Sequence, residues 1–560
     1  MAHDADTERD ATEAAEVGPA AAVADGPGAV PVDEESARAA RRMSRRAALL
    51  WMLAVLALMA VVRLPLFAFP MGQTAGTVAY VGRRWIAHQI VEVPYRDMWD
   101  YEAPGTYLMA GLAVRLLGPS AVRCRLAMMA IDLGTVLLVY YFVRQWCNRT
   151  EAVVAAGLCG FFGGAIFVQG DCLGAERPLA FLLVLSMVAA LHSKGRRWTW
   201  VALSGLAVGL AVCFRPIAWL YVVALMVWLV ATNGGSKSRL MRWVVRPGVL
   251  LAFAAVPVAL VVLYFWWAGA FEDFWRNLVV HTWRYRMPVF TRQYIARNLR
   301  VAWVLAPEQV ALWLFAGGWA IHAFSMGFRR ETGLVALWGV VAVVAAMGAR
   351  RVDTVHFHQV VPPFAIGAAL AMTNPSERFF KRDERGRLAT TSALLGAFAV
   401  ALFLGFLYTE RKAYLERSSR VEVNTDKAAV EVATLIRRRT TWRDKIYVWG
   451  TRPQIYVIAK RGAAHPAFYN RELNIDRLYR DEASRFFDPS VYQEIFRTLE
   501  REQPPFVVTT EQYVAEEIEK LGPIAPWFYY MREHYDLWKI VDATPYSFTI
   551  FARKDRVYDE

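Results

Sequence analysis

The chain has 560 residues, 56% of them hydrophobic and 20% charged, with a formal net charge of +14. That is far more apolar length than a soluble core of this size needs, which excludes a soluble catalyst. The basic residues are scattered over short segments between apolar runs and form no recognised binding face, so nucleic acid is not an expected partner.

Residues 1–46 are rich in Ala, Asp and Glu and poor in aromatics before a basic stretch, which predicts a disordered tail on the cytoplasmic side. No signal-peptide cleavage pattern follows, so the first apolar segment is expected to stay as an anchor. Apolar runs near 48–68, 120–143, 151–169, 177–193, 198–214, 216–232, 248–267, 301–325, 332–348, 359–373 and 390–408 then predict about eleven membrane spans, most of them long enough to cross as helix. The stretch Gly105 to Gly118 is apolar but short, and reads as a re-entrant or interfacial helix.

After Tyr408 the composition becomes that of a soluble segment. Lys427 to Arg438 has helical spacing, Lys445 to Gly450 and Pro505 to Thr509 read as buried strands, Tyr492 to Glu500 as a helix, and Tyr546 to Ala552 as a final strand. The predicted organisation is a tail (1–46), a transmembrane domain (47–408) and a small α/β domain (409–560).

Arg41, Arg42, Arg45 and Arg46, then Lys194, Arg196 and Arg197, then Lys237, Arg239, Arg242 and Arg246, then Arg329 and Arg330, then Lys381 to Arg387 fall in alternate loops. The positive-inside rule makes that side cytoplasmic. The loops 72–105, 170–176, 268–300 and 349–358 and the α/β domain are then expected outside. The five cysteines, Cys124, Cys147, Cys159, Cys172 and Cys213, lie in or near spans without metal-ligand spacing and read as packing residues. The Asn148-Arg149-Thr150 sequon falls in a cytoplasmic loop and is not an expected glycan site.

The outer loops hold the chemistry. Gly76-x-x-Ala79-Tyr80, Pro94-Tyr95-Arg96-Asp97, Asp100-x-x-x-Pro104-Gly105, Gly118 with Arg123 beyond it, Ala175-Glu176-Arg177-Pro178 and His358-x-x-x-Pro362-Pro363 occur in this order. Together they resemble the GT-C superfamily of membrane glycosyltransferases, in particular bacterial family-39-type enzymes related to protein mannosyltransferases and to the lipid A aminoarabinose transferase. The resemblance covers most of residues 48–408 and extends to the α/β tail. It implies a polytopic helical membrane protein with a small C-terminal α/β extracytoplasmic domain. It further implies sugar transfer from a polyprenyl-phosphate-linked donor to an envelope glycan, lipid or protein, at the outer face of the bacterial cytoplasmic membrane.

Such members usually carry an Asp-Glu pair just before the Gly-x-x-Ala-Tyr segment, with the Asp taken as catalytic; here Thr74 and Ala75 stand there, and neither can serve as a base. The remaining candidates are Asp97 and Glu176 first, then Asp100 and Glu102, since a carboxylate must orient or deprotonate the acceptor hydroxyl. The alternative for these acids is structural: helix capping, or pairing with Arg83, Arg84 or Arg96, and for Glu176 pairing with Arg177. Arg96, His281, Arg284, Arg286, Arg351 and His358 are the candidate cations for the lipid phosphate, because guanidinium forks suit phosphate oxygens. His356 and His358 lack a third ligand set, so no obligate metal is expected, although some superfamily members use a divalent cation. The expected partners are the lipid-linked donor, membrane lipids and an envelope acceptor. A non-catalytic relative that binds lipid-linked sugar or scaffolds envelope assembly is the second reading. A transporter comes third, for want of a duplicated half or of mid-membrane broken helices.

Overall fold

Long apolar runs fold as helices because only intra-segment hydrogen bonds can satisfy the backbone in hydrocarbon. In the computed structural model of the chain the described residues are 43–87, 92–165, 173–193, 197–232, 241–280, 330–348, 354–373, 421–450, 452–468, 489–510, 525–543 and 546–556, with isolated positions between 292 and 320 and between 404 and 415. The expected tail up to residue 42, most of the expected spans 301–325 and 390–408, and Cys172 lie outside them.

Helix α1 is Arg45–Arg63, opened by Ser44, whose hydroxyl accepts from the Ala47 N–H, and continued by a 3-10 turn at Leu64–Ala68. Then come α2 (Gln73–Trp85), α3 (Pro104–Leu117), α4 (Ala121–Arg144), α5 (Arg149–Gly163), α6 (Glu176–His192), α7 (Trp198–Phe214), α8 (Trp219–Thr232), α9 (Arg246–Trp267), α10 (Arg330–Met347) and α11 (Val361–Thr373). Among the described residues, five helical stretches are long and apolar enough to cross a membrane: Arg45–Ala68, Ala121–Arg144, Trp243–Trp267, Arg330–Met347 and Val355–Met372. The shorter apolar helices Trp198–Phe214 and Pro216–Thr232 pack into the same core, with Val208, Tyr221 and Leu225 fully covered.

One expectation needs correction. The stretch 72–105 is not a continuous loop, since its first part is helix α2. Two glycines make this possible: a Cβ at Gly82 would lie 2.1 Å from the Tyr107 carbonyl oxygen, and one at Gly111 2.3 Å from the Gly82 carbonyl oxygen. Backbone touches backbone where α2 crosses α3, a contact only glycine permits.

The C-terminal region comprises α12 (Val421–Arg439), β1 (Lys445–Trp449), α13 (Gln454–Ala459), β2 (Gly462–Ala463), α14 (Pro489–Glu502), β3 (Phe506–Thr510), α15 (Ala525–His534), β4 (Tyr535–Ala543) and β5 (Tyr546–Arg553). The strands make one sheet of order β2-β1-β3-β5-β4, parallel between β1 and its neighbours and antiparallel beyond β3. Side chains alternate across it. Ile446, Val448, Val508 and Ile550 share a core with α12 and α2, while Tyr447, Trp449 and Val507 share one with Ile495 and Leu499 of α14.

That first core docks the C-terminal region on α2. A Cβ at Gly76 would fall 2.7 Å from the Gln454 amide nitrogen, and Tyr80 packs with tilted rings at 5.0 and 4.7 Å against Tyr456 and Phe468 while its hydroxyl accepts from the Ala463 N–H at 2.8 Å. The Gly76-x-x-Ala79-Tyr80 segment is therefore a docking face. Its two small residues and its tyrosine are all buried.

Candidate active site

The loop 92–103 is held by its own side chains. Tyr95 sits at φ 71°, a left-handed conformation uncommon for an aromatic residue, and its hydroxyl donates to the Glu102 carbonyl at 2.6 Å. The Tyr107 hydroxyl donates to Asp100 at 2.7 Å and accepts from the Glu102 N–H at 3.0 Å. Trp99 donates its N–H to the Pro466 carbonyl and meets the His465 ring edge-on, so the C-terminal region also touches this loop.

Asp97 serves the same loop. One carboxylate oxygen accepts from the Val93 N–H at 2.8 Å, and both oxygens are bridged by the Arg96 guanidinium at 2.8–2.9 Å. Partial burial works to raise its carboxyl, but Arg96 and the Val93 N–H outweigh this and hold it below the usual range. Asp100 is buried against Tyr107. Thr74 is exposed at the start of α2.

Glu102 and Glu176 are brought together by a residue the sequence reading did not name. Arg215, extended at the end of α7, pairs with Glu176 at the first turn of α6 and reaches Glu102 at 3.7 Å. The approach depends on Gly105, where a Cβ would lie 2.8 Å from the Cys213 carbonyl oxygen, so α3 begins in contact with the end of α7. Glu176 thus does not pair with Arg177. Neighbouring helical side chains point apart.

Arg177 instead faces Asp132 of α4, at 3.3 Å. Arg63, at the end of α1, donates to the same carboxylate at 2.7 Å, and His358 stands 4.0 Å away with its Nε2 at 3.1 Å from the Gly163 carbonyl oxygen. Asp132, Arg63, Arg177 and His358 are all less than 5% exposed. Three carboxylates and three guanidiniums therefore run through the helices as two adjoining groups joined at Glu176-Arg177, with their formal charges balanced. Yet among the described residues Arg63 Nε and Nη2 and Arg177 Nη2 have no hydrogen-bond acceptor, and Arg177 Nε makes only its ion pair with Asp132. Buried guanidinium N–H groups are usually satisfied, and leaving them so is expensive. A cavity of ≈ 10 Å³, about the size of one water, is bounded by Arg63, Asp132, Cys159, Gly163 and His358.

Of the residues expected to bind phosphate, His358 joins this cluster and Arg96 does not, being tied to Asp97 and the Ala268 carbonyl. His281, Arg284, Arg286 and Arg351 lie outside the described residues. Among the described residues no group of three or more His, Cys, Asp or Glu side chains is arranged to hold a metal ion. The signal for Asp132 was legible: a lone acid inside an apolar run is costly and marks a site or a buried pair.

Residues 101–264 match the family model described as dolichyl-phosphate-mannose-protein mannosyltransferase. That segment carries Glu102, Asp132, Glu176, Arg177 and Arg215. No curated protein sequence matches the chain. Among solved structures the chain is similar to ArnT from Cupriavidus metallidurans bound to undecaprenyl phosphate, with a TM-score of 0.58, 14% identity, and coverage of 92% of this chain and 100% of that one. The apo form of the same protein gives a TM-score of 0.57 at 14% identity, covering 90% and 98%. The Archaeoglobus fulgidus oligosaccharyltransferase, tethered to an acceptor peptide containing the NVT sequon, gives 0.50 at 14% identity, covering 90% and 74%. At this identity the likeness is one of fold, and the chain carries the GT-C membrane fold that its loop motifs suggested.

Proposed function

We propose that the protein is a glycosyltransferase that moves a sugar from a polyprenyl-phosphate-linked donor to an acceptor hydroxyl at the outer face of the cytoplasmic membrane. The observation that carries this reading is the pairing of Glu102 and Glu176 on Arg215, next to two buried arginines with unused N–H donors. The fold supports it, as does the family match over residues 101–264.

In the reaction the bond between the sugar anomeric carbon and the phosphate oxygen breaks as the acceptor oxygen bonds to that carbon from the opposite side. The acceptor proton passes to a carboxylate, and the lipid phosphate leaves with the bonding electrons. Glu102 is the base in this account, because its contact with Arg215 is the longer of the two. Glu176, in tight contact with Arg215, orients the guanidinium. Cationic N–H donors stabilise the developing phosphate charge. Arg215 and Arg177 are the donors nearest the two acids, and Arg63 extends the set through Asp132.

A non-catalytic role is the second reading, favoured by Thr74 and Ala75 in place of an acid pair and by the use of Asp97 and Asp100 inside their own loop. Binding of polyprenyl phosphate by the purified protein, measured with and without Arg177→Met, separates the two readings when set beside transfer activity. Binding that needs Arg177 together with transfer that needs Glu102 supports the enzyme. Binding without transfer in the wild type supports the second reading.

A further inference from the structure

Four cations crowd together where α2, α12 and α13 end. Arg83, in the last turn of α2, donates to the Val457 carbonyl at 3.2 Å. Arg461 donates through Nε to the Thr440 hydroxyl at 2.6 Å, through Nη1 to the Lys460 carbonyl at 3.2 Å and through Nη2 to the Arg437 carbonyl at 3.1 Å. These bonds bring the Arg437 and Lys460 backbones together at Arg461, close enough for the charges of Arg83, Arg437, Lys460 and Arg461 to act on one another. Lys460 is fixed there by a left-handed backbone at φ 59°, which ends α13.

Carbonyls at the three helix ends offset part of the charge, as a helix C-terminus does for any nearby cation. Acids offset little more. Glu92 is bound by Arg84, and Asp444 by Arg556 and the Thr441 N–H and hydroxyl. Neither the Arg437 guanidinium, which is exposed, nor the half-buried Lys460 ammonium makes a hydrogen bond or ion pair among the described residues. Burial together with the neighbouring guanidiniums pushes Arg83 down to about 10, and Lys460 is lowered by burial and by Arg437, Arg83 and Arg461. Among the described residues the cluster is short of anions.

Its height relative to the bilayer is marked. Trp85, two residues beyond Arg83, donates Nε1 to the Tyr264 hydroxyl at 2.6 Å, and Tyr264 lies in the last turn of the apolar helix α9. At the end of that helix Trp266 and Trp267 are 71% and 81% exposed. Aromatics at the end of a span settle at the level of the lipid headgroups.

We infer that Arg83, Arg437, Lys460 and Arg461 form a binding surface for the phosphate headgroup of an anionic lipid in the bilayer that holds α9. The lipid tethers the C-terminal region to the membrane beside its contact with α2. Arg83 and Arg461 are held by carbonyls and preorganise the surface, while Arg437 and Lys460 supply free charge.

The test uses the full chain in nanodiscs of phosphatidylcholine, with and without phosphatidylglycerol, and compares wild type with Arg437→Glu/Lys460→Glu. Hydrogen exchange at residues 437–439 and 460–463 and lipid retention in native mass spectrometry are the readouts. Wild type should retain phosphatidylglycerol and show slowed exchange in its presence. The double variant should fold and exchange normally in pure phosphatidylcholine, yet lose roughly thirtyfold in apparent headgroup affinity. Equal retention by wild type and variant, or no effect of phosphatidylglycerol on the wild type, overturns the proposal. A third arm adds inorganic phosphate to phosphatidylcholine discs, and full protection there would assign the surface to a soluble anion and overturn the lipid assignment.

Discussion

Asp132→Asn is the most informative single change to the buried cluster. It removes a charge shared by Arg63 at 2.7 Å and Arg177 at 3.3 Å, with all three side chains about 5% exposed or less. Removing one partner of a buried pair leaves the other uncompensated, which typically costs about 3–5 kcal/mol. The asparagine carbonyl can still accept one N–H, so the lower end, about 3 kcal/mol, is expected; Asp132→Ala should reach the upper end. The identity of the cause is tested by a second change. In the Asp132→Asn background, Arg63→Met should be nearly neutral or stabilising, because it removes one orphaned cation, whereas in the wild type it should destabilise. The coupling should be on the order of 1–3 kcal/mol. Reversible unfolding in mixed micelles, followed by tryptophan fluorescence, measures all four corners of the cycle. A loss below about 0.5 kcal/mol for Asp132→Asn, or strict additivity of the two changes, would refute the shared-carboxylate account.

Three further outcomes are expected. Gly82→Val drives a branched side chain into the Tyr107 carbonyl and the Gly111 amide, whose atoms lie 2.1 and 2.5 Å from the new Cβ, so α2 must separate from α3; a loss of about 3 kcal/mol or more in the same micelle assay is expected. His465 is buried, and burial together with Arg501 lowers it to about 4, while Glu494 lies 3.9 Å from its Nε2. The unfolded chain binds the proton near pH 6.5 and the folded chain only near 4, so stability is full above that upper value and falls as pH drops toward the lower one. The loss should be on the order of 2–3 kcal/mol, and His465→Gln should flatten that slope in a melting series across the window. Asp426→Ala removes the acceptor of the Gln454 side-chain N–H at 2.7 Å and should speed exchange in α13 and at the start of α2 before the spans are affected; unchanged exchange there would show that this hydrogen bond does not hold the docking face.

Much of the helical layout was legible because hydrocarbon leaves an apolar run few alternatives. The expected borders at 198–214 and 248–267 fall within two residues of α7 and α9. Strands β1, β3 and β5 were readable from short β-branched and aromatic runs. Strand β4 was not, since a bulge between Leu537 and Lys539 breaks its alternation, and six-residue α13 gives too little periodicity. Helix α2 was hidden because its packing uses Gly76 and Gly82, which read locally as loop residues. Glu102 and Glu176 were named from motifs, but Asp132 and the partners of all three were not. Arg215 lies 39 residues from Glu176, and Arg63 lies 69 from Asp132, separations at which only tertiary packing decides who meets whom.

Sugar transfer from a radiolabelled polyprenyl-phosphate donor tests the central claim most directly, in membranes carrying wild type, Glu102→Gln, Glu176→Gln and Asp97→Asn at matched protein levels. The account predicts transfer by the wild type, at least a hundredfold loss in Glu102→Gln as expected for a missing general base, a smaller loss in Glu176→Gln, and near-normal transfer in Asp97→Asn. Normal transfer in Glu102→Gln with loss in Asp97→Asn, or no transfer by the wild type, would contradict it.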